Sequence, residues 1–261
     1  MSALATNARV VKALGMRSVK QTFRRPQLIA PIIVFPTLLL AIQTGGASSA
    51  VQLPGFPPVQ SFLQFMLAGA IVQSLMIAGN SGGIALAVDI EMGFTDRLFS
   101  APIPRFAIVL GRLAGTAALG LFAALWFLAI GLVFGVTFEA GAAGVLLAIV
   151  LATCAALAVG GIGAAIALRT GSASVVQGLF PLVLVILFLS SAFFPQELMI
   201  EPAKTIAQYN PLSFIVEGIR EPMISGIDAA DTLDAVLAIL GIVLLGLLLS
   251  DRALRHRLRV G

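Results

Sequence analysis

The amino-acid sequence predicts an all-α polytopic membrane protein with six transmembrane helices. Hydrophobic residues make up 59% of the 261 residues and charged residues 11%, whereas soluble domains contain roughly 45–50% and 25%. Long apolar runs recur along the chain, and a run of about 20 residues crosses a bilayer as a helix. Membrane β-barrels alternate polar and apolar residues instead. We therefore expect a single transmembrane domain over residues 1–261.

The first segment, residues 3–25, is predicted to be an amphipathic helix lying in the membrane interface. Its apolar or small residues recur at spacings of three or four: Leu4, Ala8, Val11, Gly15, Val19 and Phe23. The basic residues of the segment include Arg17, Lys20, Arg24 and Arg25. A basic amphipathic helix binds at a membrane surface, and a cytosolic tail is the alternative. Pro26 is expected to end this helix.

The six transmembrane helices are predicted at about 27–44, 61–88, 106–138, 142–168, 172–194 and 233–250. Pro181 predicts a kink in the fifth span. Cys154 is the one cysteine of the chain, which excludes a disulfide framework or a CxxC pair within it. We expect Cys154 to be a small buried hydrophobe.

The middle of the second span is unusually polar, with Gln73, Asn80 and Ser81. Amide and small side chains allow close helix contact and hydrogen bonds between helices. Packing is the favoured interpretation, and lining of a transport path is the alternative.

Residues 195–232 differ from the spans because they carry prolines and charges but no apolar run long enough to cross a bilayer. Short helices are predicted at Ala203–Tyr209 and at 212–220, with the pair Asn210 and Pro211 as the break and start signal. We expect a re-entrant or surface-lying extracellular element before the last span.

The distribution of Lys and Arg predicts the orientation. The amino-terminal segment has six, the 89–112 region three, the turn at Arg169 one and the tail four, so 14 of the 16 lie on one side. The other side has only Lys204 and Arg220. The positive-inside rule then places both termini in the cytoplasm. The expected location is the cell membrane of a bacterium.

The sequence contains no recognisable catalytic constellation, which argues against an enzyme. His256 is the only histidine, and there is no phosphate-binding GxxxxGK[ST] loop because none of the three lysines follows a glycine. No Asp, Glu, Lys or His is expected at the centre of a span, which argues against an ion-coupled carrier. The basic residues flank apolar runs, so we expect no nucleic-acid partner.

The polar segment 89–105 is predicted to be a short cytoplasmic coupling helix and loop. Glu91, Asp96 and Arg97 would form a charged rim. The apolar docking face would be Phe94, Leu98 and Phe99. Gly93 allows close backbone approach, and Pro102 ends the helix. A solvated loop whose charges only set topology is the alternative.

Two motifs occur in order along the chain. The first is an acidic and glycine segment that leads to Pro-x-x-Arg, here Glu91, Gly93, Asp96, Arg97, Leu98, Pro102, Arg105 and Gly111. The second is Phe-Pro-x-Glu, then Asn-Pro-Leu and Glu-x-x-Arg, here Phe194, Pro195, Glu197, Asn210, Pro211, Leu212, Glu217 and Arg220. Both resemble motifs of the ABC-2 type transporter permeases, especially the daunorubicin-resistance-like exporter subunits. The chain departs from the family at Ile200-Glu201-Pro202, where a more apolar Leu-Pro pair is frequent.

The resemblance implies the membrane subunit of an ABC exporter. Its partners would be two ABC ATPase subunits, a second permease copy or homologue, and the lipid bilayer, with ATP and Mg²⁺ bound by the ATPase and no cofactor in this chain. The ATPase-coupling interface would be the 89–105 motif and the amino-terminal helix, and the cargo an amphipathic drug, lipid or glycolipid. The alternatives are a membrane scaffold that does not transport, and a carrier or channel working alone.

Overall fold

The computed structural model of the chain describes residues 3–94 and 105–260, and every regular element in these ranges is helical. The predicted all-α class is therefore confirmed for these residues. The α-helices are α1 (Ala3–Phe23), α2 (Pro26–Ala47), α3 (Phe62–Glu91), α4 (Arg105–Val133), α5 (Gly141–Thr170), α6 (Ala173–Gly178), α7 (Phe180–Phe188), α8 (Ala203–Tyr209), α9 (Pro211–Ile224) and α10 (Ala229–Val260).

Five helical segments in the described ranges are long and apolar enough to cross a membrane: Pro26–Gln52, Phe62–Glu91, Gly111–Val133, Gly141–Thr170 and Ala229–Ala253. They coincide with the first four predicted spans and the sixth. The predicted fifth span corresponds to a shorter apolar stretch, Ala173–Phe188. The described chain thus has five full-length candidates and one short segment, where the sequence predicts six spans.

The structure divides the predicted fifth span, 172–194. The helix is interrupted at Leu179, between α6 and α7, and α7 ends at Phe188, before the predicted end of the span. Leu179 keeps helical backbone angles, φ −83° and ψ −10°, and Pro181 lies two residues after it, in the first turn of α7. A proline has no N–H to bond the carbonyl four residues back, so the interruption lies where a kink caused by Pro181 is expected. The chain then turns back through 189–195 towards the short helices α8 and α9.

Helix α3 is the centre of the molecule. Phe65, Leu67, Ile71 and Leu75 are fully buried on it, and the main core cluster joins it to α4, α5 and α9. A helix that is apolar all round is buried by neighbouring helices. Any displacement of α3 would therefore require the helices packed around it to move or repack.

Small residues set the contact between α3 and α5. A Cβ added at Gly83 would lie 2.8 Å from the backbone of Gly163, closer than real Cβ atoms come to backbone carbon. Glycines at such positions let two membrane helices approach closely. Helix α5 ends at Thr170. The next residue, Gly171, has a φ of +64°, and its N–H donates to Ala167 O.

Helix α1 packs on α4 through a face that shares Gly15 with the predicted apolar stripe and adds hydroxyl residues to it. Ser18 and Thr22 are buried, whereas Phe23 is 42% exposed. The Ser18 hydroxyl donates to Arg112 O at 3.0 Å, and a Cβ at Gly111 would lie 2.5 Å from Leu14 Cβ. The contact is made by small and hydroxyl side chains, so α1 is a packed part of the bundle.

The expectation that Cys154 is buried is wrong. Its side chain is exposed on α5, on the same outward face as Val150, which is 48% exposed. An apolar run in a membrane helix does not distinguish a residue facing lipid from one facing protein, because both surroundings are apolar.

Candidate functional site

Two polar clusters lie near opposite ends of α3. The amino-end cluster is built from Phe65, Ser191, Asn210, Glu217 and Arg220. The carboxyl-end cluster is built from Asp89, Glu91 and Arg112 with Gln21 and the amide of Ala173. Phe65 and Asp89 are roughly 36 Å apart along the helix at 1.5 Å per residue. Each predicted motif contributes to one cluster.

Arg220 is the centre of the amino-end cluster, with only 2% of its surface exposed. It donates to the carbonyls of Phe65 at 3.2 Å, Ser191 at 2.9 Å and Ala192 at 3.3 Å. Its guanidinium pairs with Glu217 at 2.7 Å and stacks 3.9 Å from the Phe65 ring centroid. A planar guanidinium suits such multiple contacts. Arg220 thus ties α9 to α3 and to the turn after α7.

Asn210 joins the end of α7 to the start of α9. Its amide nitrogen donates to Ile186 O at 2.8 Å and Leu189 O at 3.1 Å. Its side-chain oxygen accepts from the N–H of Leu212 at 3.0 Å, as an N-cap does. Pro211 follows as the first residue of α9, where proline is favoured. The motif Asn-Pro-Leu therefore builds a rigid corner.

The carboxyl-end cluster is centred on an ion pair that the sequence does not reveal. Asp89 lies within α3 and not in a loop, and its carboxylate is 3.0 Å from the Arg112 guanidinium of α4. The two side chains are 10% and 12% exposed. Arg112 also donates to Gln21 of α1 at 3.1 Å and to Ala85 O. The pair connects α1, α3 and α4 at the base of the predicted coupling segment.

Glu91, Gly93 and Phe94 follow at the end of α3. The Glu91 carboxylate accepts a 2.8 Å hydrogen bond from the N–H of Ala173, the first residue of α6. Gly93 adopts a φ of +66°, which explains the glycine. The Phe94 ring lies 3.9 Å from the guanidinium of Arg17 on α1. The start of the first motif is therefore connected to α6 and to α1.

The rest of the first motif is only partly described. The remaining predictions, including the short coupling helix, concern residues outside the described ranges: Asp96, Arg97, Leu98, Phe99 and Pro102. Arg105 is the first residue of α4.

The basic residues of the amino-terminal helix line an open groove of about 730 Å³. Its walls combine apolar or small side chains with four positive charges: Ala13, Met16, Arg17, Lys20, Gln21, Arg24 and Arg25. Lys20, Arg24 and Arg25 are exposed. The groove presents a cationic surface beside the carboxyl-end cluster.

The remaining predicted residues are not brought together. Phe194 is 59% exposed, Pro195 is buried, and Glu197 is exposed on the 3-10 helix Gln196–Leu198. Gln73 and Ser81 are 1% and 8% exposed, and Asn80 is half-buried. The burial of Gln73 and Ser81 within the chain favours packing over path lining.

Glu221 adds an electrostatic feature that the sequence does not indicate. Burial raises the pKa of this carboxyl above its ordinary value, and nearby Asp231 and Glu217 act in the same direction, against the hydrogen bond from Ser225 and the charge of Arg220. Glu221 lies on α9, outside the five candidate spans. The sequence does not indicate this pKa shift. Glu221 follows Arg220 directly in the chain, but its pKa is raised by burial, which arises only on folding.

Within the described residues, no group of His, Cys, Asp or Glu is arranged to hold a metal ion. The polar clusters are made of ion pairs, caps and backbone hydrogen bonds, which position helices and offer no nucleophile or acid–base pair. The arrangement attaches each end of α3 to the neighbouring helices.

Comparison with known proteins gives a family match over most of the chain. The family model described as "ABC-2 type transporter" matches residues 9–224. The chain is 28% identical over 215 residues to "Putative transport permease ycf38" of Porphyra purpurea, covering 80% of this chain and 72% of the relative. It is 28% identical over 202 residues to "Daunorubicin resistance ABC transporter permease protein DrrB1" of Streptomyces coeruleorubidus, covering 76% of this chain and 69% of the relative.

Proposed function

The chain belongs to the ABC-2 type transporter family, whose members are membrane components of ABC transporters, and on that premise we propose that it is the permease subunit of an exporter. ATP would be hydrolysed by a separate ABC ATPase subunit with its Mg²⁺. This chain would supply the membrane path and the surface that receives the ATPase. Two ATPase subunits would pair with two permeases, identical or homologous.

The observation that best supports this proposal is the arrangement around α3. The first family motif begins in the carboxyl-end cluster and the second builds the amino-end cluster. A subunit driven from outside needs a surface to receive the motor and a stiff connection across the membrane. The buried α3, held by side chains at both ends, supplies such a connection.

The proposed cargo is an amphipathic drug, lipid or glycolipid. The candidate spans carry long uncharged apolar stretches, which suit apolar surfaces better than ions. The daunorubicin resistance permease named above is similar over most of this chain, which favours an amphipathic substrate. Spans one and five, which expose apolar side chains on α2 and α7, would line the path, and the 195–232 element would shape its outer exit.

The proposed location is the bacterial cell membrane with both termini in the cytoplasm. This orientation puts the carboxyl-end cluster and the groove of α1 on the ATPase side. The amino-end cluster then lies on the outer side, with the acidic residues of 195–232.

Co-expression with the ATPase encoded next to this gene tests the docking part of the proposal. We expect the tagged permease to capture the ATPase, and the double charge reversal Glu91→Lys with Asp96→Lys to reduce the capture. The matched control is Glu197→Lys with Glu201→Lys, which reverses two exposed acids of the predicted outer element. Equal capture by all three proteins, with unchanged ATPase coupling, would refute the docking role of the 89–105 segment.

A further inference from the structure

The short segment formed by α6 and α7 is held at both ends by side chains from distant parts of the chain. At its start, the Glu91 carboxylate accepts the N–H of Ala173 at 2.8 Å. At its end, the Asn210 amide donates to Ile186 O and Leu189 O at 2.8 and 3.1 Å. Each contact satisfies backbone groups that a helix end leaves without an intrahelical partner.

The start of α6 is also packed against α3. Ile90 and Val176 are 6% and 0% exposed and belong to one apolar cluster with the end of α5. Glu91 follows Ile90 directly, so the last turn of α3 supplies both an apolar contact and a hydrogen bond to α6. A movement at the end of α3 would therefore carry α6 with it.

Between its two ends the segment has one packed face and one exposed face. On α7, Leu187 is buried in the main core cluster, and Val183 and Leu184 pack partly against it. Leu182 and Val185 on the other face are 57% and 53% exposed. The side-chain attachments at the two ends add to this one-sided packing in setting the position of α7.

From this geometry we propose that α6 and α7 form a connecting rod between the coupling segment and the outer element, with Glu91 as the positioning residue at its inner end. This inference rests on the proposed function. The carboxylate of Glu91 acts as a hydrogen-bond acceptor within the chain, and Asn210 at the other end passes the displacement to α9. Transport would then depend on a hydrogen-bond acceptor at position 91 and less on the negative charge of Glu91.

The test compares Glu91→Ala with Glu91→Gln in the complex with the ATPase, reconstituted in nanodiscs. The Gln side chain keeps an oxygen that can accept from Ala173, whereas Ala has none. Spin labels are placed at Leu182 on α7 and Leu146 on α5, which are 57% and 62% exposed, in a Cys154→Ala background. The distance between the labels is measured without nucleotide and with ATP trapped by vanadate.

We expect a nucleotide-dependent distance change in the parent protein and in Glu91→Gln. In Glu91→Ala with trapped nucleotide, the fraction of molecules that show the changed label distance should fall about tenfold. This is the effect of losing one hydrogen bond to a charged group. ATPase capture is measured for all three, and distances are compared only in complexes isolated with the ATPase bound. The second readout, stimulation of ATPase activity by substrate, should fall with the distance change in Glu91→Ala.

Three results would overturn the rod: an unchanged response in Glu91→Ala, an equal loss in Glu91→Gln, or no distance change in the parent complex. Failure of the parent permease to capture the ATPase is a different result, because it would refute the proposed function itself. Thermal unfolding of each variant identifies a general loss of folding. Among the variants that fold, Asn210→Ala, which removes the attachment at the other end of the segment, should reproduce the defect of Glu91→Ala.

Discussion

Replacement of Arg220 by alanine should destabilise the protein more than any single change at its ion-pair partner. The guanidinium is 2% exposed and serves three backbone carbonyls, Glu217 and the Phe65 ring. Truncation would leave these acceptors without their donor in a buried site. It would also release α9 from the turn that follows α7.

The size of the stability loss in Arg220→Ala follows from the burial of Arg220 and Glu217. Breaking a buried charged pair by removing one member costs about 3–5 kcal/mol. The Glu217 side chain is 29% exposed, so solvent screens its interaction with Arg220. We therefore expect Arg220→Ala to lower the free energy of unfolding by the lower end of that range, about 3 kcal/mol. For domains of this size that corresponds to a melting temperature lower by roughly 6–12 °C.

Thermal unfolding in one detergent, followed by size-exclusion chromatography, measures this effect. We expect Arg220→Ala to melt lowest, Arg220→Lys in between because it loses the planar fork, and Glu217→Gln within about 4 °C of the parent. The reasoning would be refuted if Arg220→Ala melted within about 2 °C of the parent, or if Glu217→Gln were equally damaging.

Three further changes test other parts of the structure. In a double-mutant cycle on thermal stability, Asp89→Ala and Arg112→Ala should show a coupling of about 1 kcal/mol or more, and strict additivity would contradict the buried pair. Gly83→Ala should lower the free energy of unfolding by about 1–3 kcal/mol, because the added methyl group pushes α3 away from α5. In the matched control Gly161→Ala the new Cβ would meet nothing within 4 Å, so its stability should be unchanged or slightly higher. Equal effects of the two changes would be evidence against the close contact. The folded-state pKa of Glu221 lies above its ordinary 4.5, so the unfolded chain releases this proton at lower pH than the folded chain, and stability should fall as pH rises from about 4.5 through the folded pKa. Glu221→Gln should flatten this part of the stability–pH curve, and an unchanged curve would show that Glu221 is not its source.

The sequence predicts the helical class and the approximate positions of the long helices, because length and continuous apolarity decide which segments can cross a bilayer. It also predicts the short helix at Ala203–Tyr209 and the start of α9 at Pro211, since Asn-Pro is a local signal. It predicts a kink at Pro181 in the fifth apolar run, and the structure interrupts that run two residues earlier, at Leu179. It does not predict that Glu91 and Asn210 hold the two ends of the run, because these residues are distant from it in sequence.

The candidate site is predictable in its residues and not in its contacts. Glu91 is expected from the sequence to be part of a charged rim, but its carboxylate caps α6. Arg220 is expected in an outer element among exposed charges, but it is buried against Phe65. A motif gives residue types in order along the chain. Which backbone groups those side chains satisfy is decided by tertiary packing, which periodicity does not encode.

A flux assay tests most directly the proposal that this chain transports an amphipathic substrate only when a separate ATPase drives it. The assay measures flux of a fluorescent amphipathic drug or lipid into inside-out proteoliposomes, with the permease alone, the ATPase alone and both together. We predict flux only with both subunits and ATP·Mg²⁺, and none with a non-hydrolysable nucleotide. Flux through the permease alone would show a stand-alone carrier or channel, and its absence under all conditions despite a stable complex would favour a scaffold.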